Sequence, residues 1–233
     1  MELSARLARL AAVVADSVEP GMTIGLGTGS TADAVLRELG QRAAQGLAFT
    51  GIASSQRTET LARELGIPLT TLDAVERLDF GYDGADEIDP NLDAIKGRGG
   101  ALLFEKLVAL SCNRYVLVAT TEKRVAHLGE RTPLPVEIVP FGWKQTAARL
   151  AEMELAPRLR HQANSQDSVP FRTDNGGHIL DCEIGPVTNP RRLASAIKSV
   201  PGVVEHGMFL GLAAEIILVD DSGIISRERA VVT

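Results

Sequence analysis

The stretch MTIGLGTGSTADAVLREL, residues 22–39, decides the predicted fold of this chain. A short apolar run at 22–26 is typical of a buried strand, small residues follow at 27–31, and a helical pattern begins at Ala32. A strand, a Gly/Ser/Thr loop and a helix can hold phosphate with backbone N–H groups, hydroxyls and the helix dipole. The alternative is a tight turn that is capped by Ser30 or Thr31. The loop is not a Walker P-loop, because it contains no GK[ST] sequence.

The same order of strand and helix continues on both sides of this stretch. An amphipathic helix precedes it and ends at Pro20-Gly21. Strands are predicted after it at residues 47–53, 79–82 and 115–119, and helices at residues 54–65 and 101–110. This alternation predicts a parallel sheet with right-handed crossovers. Because ligands of such sheets bind at the carboxyl ends of strands, we expect the loops that carry Thr28, Asp83 and Lys123 to share one edge.

The densest group of polar residues is DGADEIDPNLDAIKGRGGALLFEK, residues 83–106. Its glycine cluster, GRGG, can bring backbone N–H groups close to a ligand at the start of the following helix. Glu105 lies inside that helix among apolar neighbours, so desolvation is expected to raise its pKa toward the range of a general base. The alternative is that the carboxylates only cap turns and that the glycines only form one.

The composition changes at Thr132-Pro133-Leu134-Pro135, where prolines interrupt the alternation. Beyond this point the pattern is helix (143–153), strand (158–161), a hairpin over residues 169–183 with its turn at Asp174-Asn175-Gly176-Gly177, helix (190–199) and strand (203–206). This order is typical of a small ferredoxin-like α+β unit. Further strands are predicted at 215–219 and 224–232. We therefore expect one α/β domain of residues 1–132 and 207–233, and an inserted α+β domain of residues 133–206.

The composition favours a protein of the reducing cytoplasm. The net charge of −6 argues against general binding to nucleic acid or to a membrane surface. No apolar run reaches the roughly 18 residues that a membrane span needs. Two cysteines are too few for a disulfide framework, and no CxxC zinc pattern is present.

Five stretches closely resemble the signatures of type A ribose-5-phosphate isomerases: GLGTGSTA, DGADE followed by KGRGGALLFEK, PLPVEIVP, TDNGG and PGVVEHGMF. The resemblance covers almost the whole chain. It implies a Rossmann-like open, parallel-rich sheet with a smaller inserted α+β domain, assembled as a homodimer or homotetramer. It also implies the interconversion of ribose 5-phosphate and ribulose 5-phosphate in the pentose phosphate pathway, without metal or cofactor.

The resemblance also implies the roles of individual residues. Glu105 matches the base. The chemistry of the isomerisation suggests the other roles: Lys96 and the glycine amides near Gly99 and Gly100 stabilise the enediolate, Asp83 assists ring opening, and Asp86 positions hydroxyls. The expected substrate-binding residues are Thr28, Gly29, Ser30, Thr31, Gly84, Ala85, Gly97, Arg98, Gly99, Gly100 and Lys123.

Three positions depart from the family's usual pattern. Arg98 replaces a glycine, Phe104 replaces the arginine before the base, and Leu7 stands where a lysine often approaches the phosphate. Arg6 or Arg9 is a candidate substitute for that lysine. Arg98 is expected either to flank the phosphate or to extend into solvent.

The sequence argues against two other functions. A non-catalytic phosphosugar sensor would need a DNA-binding module, for which the residues before the first βα unit leave no room. A phosphosugar deaminase or acyl-transferase-like relative is disfavoured because Asp83, Asp86, Lys96 and Glu105 are present together.

Overall fold

The computed structural model describes residues 1–163 and 169–230. The helices are α1 (Leu3–Ala15), α2 (Ser30–Ala44), α3 (Gln56–Glu64), α4 (Leu102–Ser111), α5 (Trp143–Ala151) and α6 (Pro190–Lys198). The strands are β1 (Thr23–Leu26), β2 (Thr50–Ala53), β3 (Leu78–Asp83), β4 (Glu87–Ile88), β5 (Ala94–Ile95), β6 (Cys112–Thr120), β7 (Leu134–Ile138), β8 (Ala156–Leu159), β9 (His178–Glu183), β10 (Val203–His206), β11 (Met208–Phe209), β12 (Glu215–Val219) and β13 (Ile225–Arg229).

The chain divides into two compact units. Unit 1 comprises Met1–Ala85, Phe104–Lys123 and Gly211–Thr233, and unit 2 comprises Asp86–Leu103 and Arg124–Leu210. These units assign residues 86–103, 124–132 and 207–210 differently from the domains expected from the sequence, whose limits stay a prediction.

Unit 1 is built on a six-stranded sheet in the order β13-β12-β6-β3-β1-β2. All neighbouring strands are parallel except β12 and β13, which are antiparallel. The parallel-rich α/β sheet predicted from the alternating pattern is therefore confirmed. Strand β12 and the middle of β6 are continuously buried, as is typical of strands in a parallel sheet that is covered on both faces. The core joins residues of the sheet to α1 and α2, including Leu10, Val14, Leu36 and Phe80.

Two glycines in the sheet allow α4 to lie very close to it. A Cβ atom at Gly25 would lie 2.4 Å from Val108 Cγ1, and one at Gly81 would lie 2.3 Å from Cys112 Sγ. Any larger residue at these positions would push α4 and the start of β6 away from the sheet. The glycines therefore fix the depth of the helix that carries Glu105.

Unit 2 contains a four-stranded antiparallel sheet in the order β10-β7-β9-β8. The chain passes through it as β7, α5, β8, β9, α6 and β10, which is the connectivity of a ferredoxin-like unit. Its core includes Val136, Ile138, Leu150, Leu180 and Ile197. A second, three-stranded sheet has the order β11-β5-β4.

Three elements of the later chain differ from those that the sequence predicts. Residues 169–173 were expected to be a strand but form only an isolated bridge, His161 with Pro170, and β9 instead pairs with β7 and β8. The prolines at 133 and 135 predict only a boundary, yet β7 begins at Leu134 and includes Pro135. The last strand was predicted at 224–232; β13 ends at Arg229, and residues 231 and 232 lie outside the described residues.

Over residues 1–163 and 169–230, no helix combines the length and the apolar character that crossing a membrane requires.

Candidate active site

The Gly/Ser/Thr loop of unit 1 leads directly into helix α2. Gly29 has φ 109° and is the N-cap residue of this 15-residue helix, and its carbonyl accepts a hydrogen bond of 2.7 Å from the Asp33 N–H. The first N–H groups of a helix have no acceptor within it, and the helix dipole favours negative charge there. Ser30 is exposed and Thr31 is half-buried. This arrangement suits an anion such as phosphate.

Thr28 is tied to the rest of unit 1 through both its backbone and its side chain. Its N–H donates to Asp83 Oδ1 over 2.9 Å. Its hydroxyl lies in a buried cluster with the hydroxyls of Ser54, Ser55 and Thr58, at 2.8, 2.9 and 2.9 Å. Thr28 therefore shapes the loop with groups that are already hydrogen-bonded. Sequence reasoning identified Ser54-Ser55 only as a helix start and missed this cluster.

Asp83 ends strand β3 and is 2% exposed. Besides the Thr28 N–H, its Oδ1 accepts the N–H of Gly84 over 2.7 Å. Gly84 and Ala85 follow and are half-buried. Strands β1 and β3 are parallel neighbours, with Leu26 opposite Tyr82. The loops after them therefore meet at one edge of the sheet, as the sequence predicted.

Glu105 lies in the first turn of α4 and is 3% exposed. Tyr115, on β6, is a neighbour that sequence reasoning missed. Burial raises the pKa of the Tyr115 phenol well above its usual value, and the negative charges of Asp83 and Glu105 act in the same direction. Tyr115 thus lies within electrostatic range of both carboxylates.

Lys123 closes a short 3-10 turn, Thr121–Lys123, directly after β6. It is half-buried at the same edge of the sheet as the loops after β1 and β3. Arg6, the proposed substitute for the family's N-terminal lysine, is buried and forms ion pairs with Glu122 and Asp221. The pKa of Glu122 is lowered to about 2, chiefly by a hydrogen bond from the side chain of Thr120. Glu122 is therefore ionised at neutral pH. The charge of Arg6 is therefore already matched within unit 1.

Lys96 belongs to unit 2 and is 3% exposed. Its N–H donates to the Gly207 carbonyl over 2.8 Å, and its ammonium lies 5.4 Å from the centre of the Phe209 ring. A Cβ atom at Gly207 would lie 2.1 Å from the Lys96 carbonyl oxygen. The segment that contains β10 and β11 therefore fixes the backbone of this lysine.

Residues 97–100 form a tight turn, which we call the glycine turn. The Gly100 N–H donates to the Gly97 carbonyl over 2.9 Å, and both glycines have positive φ angles, 105° at Gly97 and 87° at Gly100. The Arg98 N–H donates to Asp86 Oδ2 over 3.0 Å. Since the Gly100 N–H is used inside the turn, the N–H groups of Gly97 and Gly99 are the ones without an acceptor among the described residues.

The Arg98 side chain is exposed and borders a cavity of about 380 Å³ in unit 2. Asp86, Arg131, Arg160 and Asp181 also border this cavity. The replacement of the family's glycine by Arg98 causes no backbone strain, because this residue does not have a positive φ.

The predicted site residues are thus divided between the units. Unit 1 carries Thr28, Gly29, Ser30, Thr31, Asp83, Gly84, Ala85, Glu105 and Lys123, and unit 2 carries Asp86, Lys96, Gly97, Arg98, Gly99 and Gly100. Within unit 1, Thr28 and Asp83 are joined directly, and within unit 2, so are Asp86 and Arg98. Across residues 1–163 and 169–230, no group of three or more His, Cys, Asp or Glu side chains could hold a metal ion.

Comparison with known proteins identifies the family. The sequence model described as ribose 5-phosphate isomerase A (phosphoriboisomerase A) matches residues 50–223. The ribose-5-phosphate isomerase A of Roseiflexus castenholzii is 52% identical over 91% of this chain and 91% of its own length. The chain belongs to the ribose 5-phosphate isomerase A family. The enzyme of the same name from Synechococcus is 49% identical over 92% of this chain and 93% of its own length.

Solved structures of the family agree with this fold. A D-ribose-5-phosphate isomerase in complex with phospho-erythronic acid superposes with a TM-score of 0.93, at 32% identity, over 98% of this chain and all of that one. Ribose 5-phosphate isomerase A from Methanocaldococcus jannaschii gives a TM-score of 0.91 at 34% identity, over the same shares of the two chains. The resemblance found in the five sequence stretches is confirmed, and none of these relatives supports a non-catalytic sensor.

Proposed function

We propose that this chain is an aldose–ketose isomerase that interconverts D-ribose 5-phosphate and D-ribulose 5-phosphate through an enediolate. Membership of the family supports the reaction. The observation that carries the mechanism is Glu105, a carboxylate that is 3% exposed in the first turn of a helix packed tightly on the parallel sheet. A base in such a place is shielded from water and is fixed in position by α4.

Glu105 is the proposed base. It removes the proton from C2 of the open-chain aldose and returns it to C1, while a proton passes from O2 to O1. The net change is the conversion of the C1 aldehyde to the C2 ketone, so no oxidant or reductant is needed. One carboxylate serves both steps because C1 and C2 are bonded neighbours.

The negative charge of the enediolate needs fixed donors, and unit 2 supplies candidates. We assign this role to the Lys96 ammonium and to the N–H groups of Gly97 and Gly99. Fixed donors aimed at a developing charge are among the strongest contributions to catalysis. Gly100, expected from the sequence as a donor, is assigned to the turn instead, since its N–H already binds the Gly97 carbonyl.

The remaining roles follow from charge and position. The phosphate binds at the N-terminus of α2, against Gly29, Ser30 and Thr31, with Lys123 as the proposed cation. Asp83 transfers protons during ring opening, and Asp86 positions substrate hydroxyls. Thr28, Gly84 and Ala85 shape the loops. We further propose that the enzyme works in the cytoplasm as a homodimer or homotetramer, with no metal or cofactor.

The deciding experiment is a coupled assay of the purified protein with ribose 5-phosphate, combined with the Glu105→Gln variant. This variant keeps the size of the side chain but removes the basic group, so kcat should fall about 10²- to 10⁴-fold with KM little changed. Glu64→Gln is the matched control, because Glu64 is exposed at the end of α3.

A second measurement tests the enediolate itself. In D2O the wild type should place deuterium at C1 in a fraction of the ribulose 5-phosphate, namely from the turnovers in which the proton on the Glu105 carboxyl group exchanges with solvent before it is returned. Glu105→Gln should lose this incorporation together with turnover. Wild-type protein that binds ribose 5-phosphate without converting it would favour the sensor. An active Glu105→Gln variant would move the base elsewhere.

A further inference from the structure

The guanidinium group of Arg160 holds two successive carbonyls of the glycine turn. Its Nη1 donates to the carbonyl oxygens of Gly97 and Arg98 over 2.9 and 3.0 Å. Arg160 lies just after β8, 62 residues beyond Arg98 in the chain. An arginine is the one side chain that can reach two carbonyls with one nitrogen while its other nitrogens bind a carboxylate.

That carboxylate belongs to Asp181 on β9. Arg160 Nε donates to Asp181 Oδ2 over 2.9 Å, and Arg160 Nη2 donates to Oδ1. The two side chains are only 15% and 25% exposed, so this two-point ion pair is shielded from solvent. A forked pair of this kind fixes the plane of the guanidinium as well as its place.

Phe171 completes the support of the turn. The guanidinium carbon lies 5.9 Å from the centre of the Phe171 ring. A Cβ atom at Gly100 would lie 2.4 Å from Cζ of the same ring, so Phe171 covers the end of the turn. The Phe171 N–H donates to the Arg160 carbonyl over 2.8 Å, and its own carbonyl contacts His178 Nδ1 at 2.9 Å. Arg160, Phe171 and Asp181 are thus joined to each other and to the glycine turn.

Peptide planarity gives these contacts a consequence for the site. In a trans peptide the N–H of each residue points opposite to the carbonyl of the residue before it. Arg160 holds the Gly97 carbonyl, which directs the Arg98 N–H the other way, onto Asp86 Oδ2. It also holds the Arg98 carbonyl, so the Gly99 N–H must point away from Arg160, where no described residue accepts it.

We propose that Arg160 is a positioning residue of the isomerase, which acts through the glycine turn by aiming the Gly99 N–H at the enediolate and holding Asp86 in place. Asp181 orients Arg160, and Phe171 packs against both Gly100 and the Arg160 guanidinium. The inference rests on the proposed function, because that function assigns the Gly99 N–H and Asp86 their roles. Arg160 itself touches no reacting atom.

The test is the Arg160→Lys variant of the full-length enzyme. Lysine keeps the charge but loses the fork, so it cannot hold both carbonyls and Asp181 at once. We expect kcat to fall about 10- to 100-fold, the loss typical of a catalytic group displaced by about 1 Å. KM should stay within a few fold, because the phosphate is proposed to bind at α2 in unit 1. Arg158→Lys is the matched control: Arg158 is exposed on β8, and its variant should behave as the wild type.

Inhibitor binding separates positioning from general damage to the fold. Phospho-erythronic acid carries a planar, negatively charged carboxylate that resembles the enediolate, whereas inorganic phosphate tests only the phosphate site. In Arg160→Lys, inhibition by the acid should weaken by about the same factor as kcat, and inhibition by phosphate should not change. Equal weakening of both, or a lower melting temperature with unchanged kcat, would reduce Arg160 to a structural residue.

Asp181→Asn provides an independent variant if Arg160→Lys does not fold. It should lower kcat in the same way, and the double variant should be no worse than Arg160→Lys alone, because both changes act through one contact. Additive effects would refute the chain of contacts. A wild type without activity on ribose 5-phosphate would instead refute the proposed function, whereas an active wild type with a fully active Arg160→Lys variant would refute only the role of Arg160.

Discussion

Glu87 offers a direct test of how unit 2 holds its backbone. The residue is 1% exposed, and its carboxylate accepts three backbone hydrogen bonds. Oε2 accepts from the Gly129 N–H over 2.6 Å, and Oε1 accepts from the N–H groups of Arg131 and Thr132 over 2.6 and 2.7 Å. We predict that Glu87→Gln destabilises unit 2 although the side chain keeps its size.

The magnitude follows from counting the bonds. The best orientation of glutamine turns its oxygen toward Arg131 and Thr132, and its NH2 group then faces the Gly129 N–H. One hydrogen bond to a charged group, worth about 1.5–3 kcal/mol, is lost, and the Gly129 N–H and the glutamine NH2 group are left as buried donors without an acceptor. Allowing for local rearrangement, we expect a loss of about 2–4 kcal/mol in the free energy of unfolding.

Urea unfolding measures this loss in the right part of the molecule. Trp143 is the single tryptophan of the chain and lies in α5 of unit 2, so its fluorescence reports on this unit. With a urea dependence of about 1–3 kcal/mol per M, the midpoint should fall by roughly 1 M or more. Glu183→Gln, at an exposed position of β9, is the control and should leave the midpoint nearly unchanged. Equal midpoints for the two variants would refute the reasoning.

Two further predictions concern the site. Arg98→Gly, a return to the family's pattern, tests whether Arg98 also flanks the phosphate: loss of a charge-assisted hydrogen bond worth about 1.5–3 kcal/mol would raise KM about 10-fold with kcat within a few fold. Unchanged KM and unchanged inhibition by inorganic phosphate would mean that Arg98 extends into solvent and that the phosphate is held at α2 and Lys123 alone. Exhaustive treatment with EDTA should leave the activity intact, because the proposed donors are an ammonium and peptide N–H groups; activity lost to chelation and restored by a divalent cation would overturn the metal-free mechanism.

The sequence predicted those parts of the fold that depend on local pattern. The alternation of apolar strands with amphipathic helices gave the parallel sheet, because periodicity is a property of neighbouring residues. Polar residues directly after strands gave Thr28 and Asp83 as neighbours, since parallel strands end at one edge. Strand β7 could not be predicted from local pattern, because its prolines indicate a break in regular structure more strongly than its apolar residues indicate a strand. Its pairing with β9 and β10, one on either side, stabilises the strand.

The candidate site also has parts that local sequence predicted and parts that it did not. The residue types of GLGTGSTA and KGRGGALLFEK were enough to propose a phosphate loop, a glycine turn and a base. Local sequence gave no role to Glu87, although it stands in the DGADE motif, because its partners lie more than 40 residues away. It also gave no role to Thr58, and it gave Ser54 and Ser55 only the start of a helix.

By itself the sequence determined the α/β class and the family, and it supplied the reacting groups that we propose, since these depend on residue type and short spacing. Only the tertiary structure decided which peptide N–H groups remain for a ligand. Arg160 supports carbonyls 62 and 63 residues earlier, and the Gly100 N–H is used within its own turn. Such contacts depend on how distant segments pack. Every residue except proline has the same backbone N–H, so the sequence does not indicate which acceptor that N–H will find.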